Sequence, residues 1–303
     1  MAAVEDRLGE LVGEGGGRLA EEAGATLAAG GKRLRPMLVL LCAGPDPGPA
    51  AIRAATAVEL VHMATLVHDD VLDTAPLRRG VPTVFARAGR DAATAVGDLL
   101  FSRAFAELAD LESGSKRRVA LLARASIGLA QGELAQRHDA FRMQVTAERY
   151  LERCRLKTAR LFQCACVIGG DPDPGDERAL SEYGNEIGLA FQLLDDVLDV
   201  VGPAQRTGKA RGTDLLDGTV NLPLILARER DPPLAELDLR GLDEATAADV
   251  CDRIVATGVL EQVRADARDR VERGKGAVAA SPLDPTQRSL LTMVADGVVE
   301  RYS

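Results

Sequence analysis

Two short acidic words carry the clearest chemistry in this sequence. Asp69-Asp70-Val71-Leu72-Asp73 recurs in the second half of the chain as Asp195-Asp196-Val197-Leu198-Asp199. At 100° per residue the first and last aspartates of each word lie one turn apart on nearly the same helix face, where their carboxylates converge and repel unless a cation neutralises them. Most acids at this spacing belong to a solvated face. Here each word follows an apolar run, Val58 to Val67 and Ile187 to Leu194, which predicts a largely buried helix. Acids at the end of such a helix need compensating charge. Carboxylates without clustered Cys or His suit Mg2+ better than Zn2+, and Mg2+ keeps open positions that diphosphate oxygens fill. The candidate metal ligands are therefore Asp69, Asp70, Asp73, Asp195, Asp196 and Asp199.

An anion held this way also needs bases. Gly30-Gly31-Lys32-Arg33-Leu34-Arg35-Pro36 sets three bases immediately before an apolar run, where a helix start makes an anion site. Arg78-Arg79-Gly80 follows the first acidic word by one or two turns, and a solvated basic turn is the plainer alternative. Lys157-Thr158 lies in an otherwise apolar stretch, and Gly208-Lys209 lies in a breaker-rich loop after the second word, where a lysine can close over phosphate. Of three histidines, His62 and His68 precede the first word within two turns, and His138 is expected at the surface.

These residues have to be positioned by helices. Apolar positions recur at helical spacing through Ala51–Leu72, Ala92–Leu108, Val119–Leu134, Tyr150–Ile168, Ala179–Val201, Val220–Leu226, Ala247–Val263 and Leu290–Val299, with Gly and Pro clusters between them. Strand-like alternation is nearly absent, and aromatics are only 3% of the chain. The expectation is an all-α single domain, 1–303, of roughly ten or more helices. The net charge of −9 argues against nucleic acid or anionic lipid as a broad partner. The acidic start, Glu5 and Asp6, does not read as a signal peptide, and no uninterrupted apolar run spans a bilayer, so a cytoplasmic location is expected. Five cysteines, an odd number without C-x-x-C spacing, read as reduced core residues.

Taken in order, Gly30 to Pro36, His68 to Asp73, Arg78-Arg79-Gly80, Gly97-Asp98, Gly132-Glu133, Lys157-Thr158, Phe191 to Asp196 and Gly208-Lys209 resemble the trans-polyprenyl synthetase family over most of the chain. The resemblance implies a helical bundle around a deep central cavity (the isoprenoid synthase type I fold), usually a homodimer. It implies an enzyme that condenses an allylic diphosphate, such as dimethylallyl, geranyl or farnesyl diphosphate, with isopentenyl diphosphate. By similarity, Asp69, Asp73 and Asp195, assisted by Asp70 and Asp199, hold Mg2+ on the allylic diphosphate, which Lys157, Lys209 and Arg78 also contact. Lys32, Arg35, His62 and Arg79 hold isopentenyl diphosphate, and Thr158 and Gln192 sit beside the developing allylic cation.

Two features depart from the family pattern. Thr219 stands where the family commonly has lysine, in Thr219-Val220-Asn221-Leu222-Pro223, and the Gly44–Ala50 connection is short. Relatives with short products carry large aromatics at the positions of Ala64 and Thr65. Small residues there imply a product of geranylgeranyl length (C20) or longer, with Phe101, Phe105, Ile127 or Leu129 as candidate floors. The alternatives are a regulatory subunit of a heteromeric synthase, a class I terpene cyclase and a purely structural helical protein. Two full acidic words argue against all three.

Overall fold

A computed structural model describes residues 1–170, 173–202 and 211–300. The chain divides into two units, residues 1–126, 164–177 and 284–287 in the first and residues 127–163, 178–283 and 288–303 in the second.

The first unit is built on α4 (Pro49–Leu72), a helix of 24 residues with Pro49 in its first turn, about 36 Å long at 1.5 Å per residue. Most of its side chains from Ala51 to Val71 are buried, because it packs chiefly along α6 (Arg90–Ala109) and also touches α1 (Ala2–Gly13), α2 (Gly17–Ala28) and α3 (Leu34–Cys42). By length and hydropathy α4 is the one helix among the described residues that meets the criterion for crossing a membrane, yet 67% of the relevant window is buried in the protein. Its apolar surface is satisfied by its neighbours. Glu107 on α6, 2% exposed, accepts from Arg7 on α1 (2.8 and 2.9 Å) and from Arg53 on α4 (3.0 and 3.4 Å), tying three helices at one carboxylate. Between α4 and α6 lie a hairpin, β1 (Leu77–Arg78) and β2 (Val81–Pro82), and a short α5 (Val84–Ala88) capped by Thr83. The first part of α7 (Ser115–Asp139) completes this unit.

In the second unit α8 (Ala147–Cys154) runs through a π-helical turn (Arg155–Ala159) into the first residues of α9 (Arg160–Ile168), which from Cys164 on belongs to the first unit. Most of α10 (Pro174–Val201) follows, then α11 (Thr213–Leu216), α12 (Leu222–Arg230), α13 (Pro232–Ala235), α14 (Glu244–Ala256), α15 (Val259–Ala279) and most of α16 (Pro285–Glu300). Thr146, Asn221 and Asp243 cap α8, α12 and α14 through side-chain oxygens.

The all-α expectation holds, with four local differences. Helices α1, α2 and α3 precede the first stretch that periodicity picked out, and the two-residue strands of the hairpin give no alternation to detect. Tyr150–Ile168 is interrupted by the π turn. Ala247–Val263 is two helices, broken where Gly258 takes φ +74°, a conformation that only glycine adopts freely. The five cysteines are buried and unbridged, as expected.

Candidate functional site

The geometry of each unit is described separately. In the first, α4 ends at Leu72, but Asp73 keeps helical dihedrals and its amide bonds to the Asp69 carbonyl at 2.8 Å. The one-turn spacing expected of Asp69 and Asp73 is therefore present, with Asp73 exposed and Asp69 partly so. Asp70 is different. It is 5% exposed and its Oδ1 lies 2.8 Å from both Nε and Nη2 of Arg78, so two residues expected on metal and on diphosphate are engaged with each other. The hairpin makes this possible: Arg79 and Gly80 both take positive φ at its turn, which aims Arg78 back at α4. Just before the word, His68 stacks on Phe101 with ring centroids 6.0 Å apart. A side chain at Gly97 would collide with the His68 ring, which explains the glycine of Gly97-Asp98.

The bases gather in the same unit, and they divide into two kinds. Arg33, in left-handed backbone at the start of α3, is neutralised by Glu5 at 2.7 Å and Glu59 at 2.8 Å. Arg35 instead faces His62, Nη1 to Nε2 3.3 Å, and Arg79 donates to the Gly30 carbonyl. A Cβ on Gly31 would lie 2.9 Å from Arg33 Nη1 and 3.2 Å from Arg79 Nη1, so that glycine leaves room for the guanidiniums to assemble. Burial pushes Arg35 down to about 10, and burial together with neighbouring Arg78 lowers Arg79. His62 is pushed well below the usual imidazole range, by burial first and then by Arg35, Arg79, Arg78 and Arg33. It is neutral, and its Nε2 can accept from Arg35. With Lys32 exposed beside them, these residues make a concentration of positive charge suited to an anion. Of the two candidate length-setting residues, Ala64 is fully buried, whereas Thr65 is partly exposed and its hydroxyl donates to the His62 carbonyl at 2.7 Å. Among the proposed floors, Leu129 is buried and Ile127 is 58% exposed.

In the second unit the π turn presents Lys157 and Thr158. A Cβ on Gly132 of α7 would sit 2.5 Å from the Lys157 backbone nitrogen, so only glycine permits this approach. The next residue, Glu133, takes Lys157 Nζ at 2.5 Å and Arg137 at 2.7 Å. Burial pushes the Glu133 carboxyl up, but the charge and bond of Lys157, with Arg137, hold it below the usual range. Thr158 donates to Gln192 Oε1 at 2.7 Å, Gln192 Nε2 donates to Asp196 Oδ1 at 2.8 Å, and the buried Tyr150 hydroxyl donates to Asp196 Oδ2 at 2.5 Å. Asp196 is 3% exposed; burial and then the charge of Asp214 push its carboxyl up, against the bonds from Tyr150 and Gln192, which favour the carboxylate. Asp195 is exposed, while Asp199 accepts from the Thr213 and Asp214 amides at 3.1 and 3.2 Å. Asn221 links Asp214, at 3.0 Å, to the start of α12.

Of the residues nominated from the sequence, Thr158 and Gln192 are hydrogen-bonded to each other; Tyr150, whose partner Asp196 lies 46 residues on, and the bonded pair Asp214 and Asn221 were not nominated. Lys209 lies outside the described residues. Among the described residues no group of three or more His, Cys, Asp or Glu is gathered about one point; the donors available for a cation are carboxylate oxygens, the kind Mg2+ takes.

The chain is similar to known proteins. The polyprenyl synthetase family matches residues 18–256. A heptaprenyl diphosphate synthase component 2 from Geobacillus stearothermophilus is 39% identical over 86% of this chain and 83% of its own length. A geranylgeranyl diphosphate synthase from Methanosarcina mazei is 36% identical over 90% of this chain and 86% of its own. Among solved structures, a polyprenyl synthase from Caulobacter crescentus, complexed with calcium and isoprenyl diphosphate, superposes with a TM-score of 0.87 at 34% identity, covering 100% of this chain and 93% of that one.

Proposed function

The chain belongs to the polyprenyl synthetase family, and on that premise we propose that it condenses an allylic diphosphate with isopentenyl diphosphate, releasing diphosphate and a product one isoprene unit longer. The observation that carries this reading is the joint presence of two intact aspartate words and a basic cluster in which Arg35 and Arg79 stand with the neutral His62.

In this reading Asp69, Asp73 and Asp195 are the principal ligands of Mg2+, with Asp70 and Asp199 assisting. When bound, the metal stabilises the departing diphosphate. Lys157, Lys209 and Arg78 steady the same anion. Lys32, Arg35, His62 and Arg79 orient isopentenyl diphosphate so that its double bond meets the allylic carbon. The neutral His62 supports Arg35 without adding repulsion. Thr158 and Gln192 offer oxygen dipoles to the developing cation, and the departing diphosphate is the base for the final proton. Small residues before the first word favour a product of C20 or longer. The whole chain is read as one catalytic domain working as a cytoplasmic homodimer.

The test is incubation of purified protein with Mg2+, isopentenyl diphosphate and, separately, dimethylallyl, geranyl and farnesyl diphosphates, followed by dephosphorylation and chromatographic sizing. Linear alcohols of one defined length are expected, and chelation of the metal should abolish them. Cyclic hydrocarbons would instead assign a cyclase. A second reading has one specific support: the relative from Geobacillus stearothermophilus is named as a component of a synthase. In that reading this chain alone would give no turnover.

A further inference from the structure

Tyr150 has no role in the chemistry just described, yet it is 1% exposed and spends its hydroxyl on Asp196. A buried tyrosine hydroxyl must have a partner, but a structural need would be met by any acceptor. The choice of Asp196 matters because that carboxylate is shared. Its Oδ2 accepts from Tyr150 and its Oδ1 accepts from Gln192 Nε2, leaving Gln192 Oε1 to accept from Thr158. A primary amide has one accepting end and one donating end, of nearly the same shape. Which end faces Thr158 is decided by what holds the other.

We propose that Tyr150 is a positioning residue for the condensation. It anchors the Asp196 carboxylate, which fixes the donating end of Gln192 and so keeps the Gln192 carbonyl oxygen and the Thr158 oxygen lone pairs on the side where allylic positive charge develops. Asp196, the middle acid of the second word, acts here through Gln192 and not as a ligand of the metal. Its counterpart in the first word, Asp70, is likewise turned into the protein, onto Arg78. With the amide reversed, an N–H donor would stand where an oxygen dipole is needed, and the cation would lose stabilisation while the binding of either diphosphate would not change. This assignment rests on the functional reading above, in which Thr158 and Gln192 sit beside the cation.

The experiment compares wild type with Tyr150→Phe, Asp196→Asn and the double variant. Steady-state kcat, KM for each diphosphate and the Mg2+ concentration giving half-maximal rate are measured, with thermal melting to check folding. Loss of one oriented hydrogen bond predicts a fall in kcat of roughly tenfold for Tyr150→Phe, with both KM values and the Mg2+ requirement unchanged. The double variant should be no slower than Asp196→Asn alone, since both act through one carboxylate. Wild-type kcat in Tyr150→Phe overturns the proposal, as do multiplicative losses in the double variant. A raised Mg2+ requirement in Asp196→Asn with none in Tyr150→Phe overturns it too, by making Asp196 a metal ligand. Absence of elongation by the wild type overturns the functional reading and this assignment together, whereas an active wild type with an indifferent Tyr150→Phe overturns the assignment alone. Should Asp196→Asn fail to fold, the kcat and Mg2+ requirement of Tyr150→Phe, which removes one oxygen from an intact ring, still decide the matter.

Discussion

The acids of each aspartate word have different environments although their spelling is the same. Asp69, Asp73 and Asp195 remain at least partly exposed, Asp70 and Asp196 are buried on protein donors, and Asp199 holds the start of α11. Solvation decides which carboxylates are available to a cation, because a carboxylate already bonded in the interior would lose those bonds on turning outward. His62 shows the same control. Its folded pKa lies well below 6.5, by burial and the nearby guanidiniums, so below the unfolded value near 6.5 the unfolded chain binds a proton that the folded chain refuses. Stability from this group is therefore full above about pH 7 and is lost as pH falls through about 6.5 towards the folded value. His62→Gln should flatten that segment of the melting temperature against pH relative to wild type. Parallel wild-type and variant curves between pH 7.5 and 5.5 would contradict it.

At the scale of the element, α4 is set by its neighbours. One carboxylate, Glu107, fastens it to α1 and α6 through Arg53 and Arg7. Burial pushes the Glu107 carboxyl up, but the bonds from the two guanidiniums outweigh it and hold the carboxyl below the usual range. This contribution is present above the unfolded value near 4.3 and lost as pH falls through the lower folded value. Glu107→Gln leaves two arginines facing an uncharged amide. With the arginines 33% and 25% exposed, water screens part of the loss, and we expect a destabilisation of about 2 kcal/mol, measured as a shift in the denaturation midpoint. The π turn is a second such device. It depends on Gly132 and Glu133 of another helix, and its position was not legible in the apolar run Tyr150–Ile168, since a π turn changes the hydrogen-bond register without changing composition.

For the molecule as a whole, product length is the property that sequence reading approached and folding refined. Ala64 and Thr65 were read as small residues that leave the route of the growing chain open, with Ala64→Phe expected to shorten the product. Ala64 is fully buried within the first unit, so Ala64→Phe forces bulk into packed core and should cost about 1–3 kcal/mol or more. Thr65 is partly exposed, and Thr65→Phe is expected to shorten the product while the protein remains folded. Sizing the dephosphorylated products of both variants, beside their melting temperatures, checks the distinction; an unchanged product from Thr65→Phe would remove that residue from length control.

The helical class, the acidic words, the basic segment and the pairing of Lys157 with Thr158 were determined by sequence alone, because each rests on spacing within a few residues and helix geometry converts such spacing directly into shared faces. Tertiary structure decided which of these residues are neutralised. Arg33 meets Glu5 and Glu59, Arg78 meets Asp70, and Asp196 meets Tyr150. Partners separated by up to 46 residues leave no local pattern. Their pairing follows from how helices pack, and the charge that remains for ligands is known only after those pairs have formed.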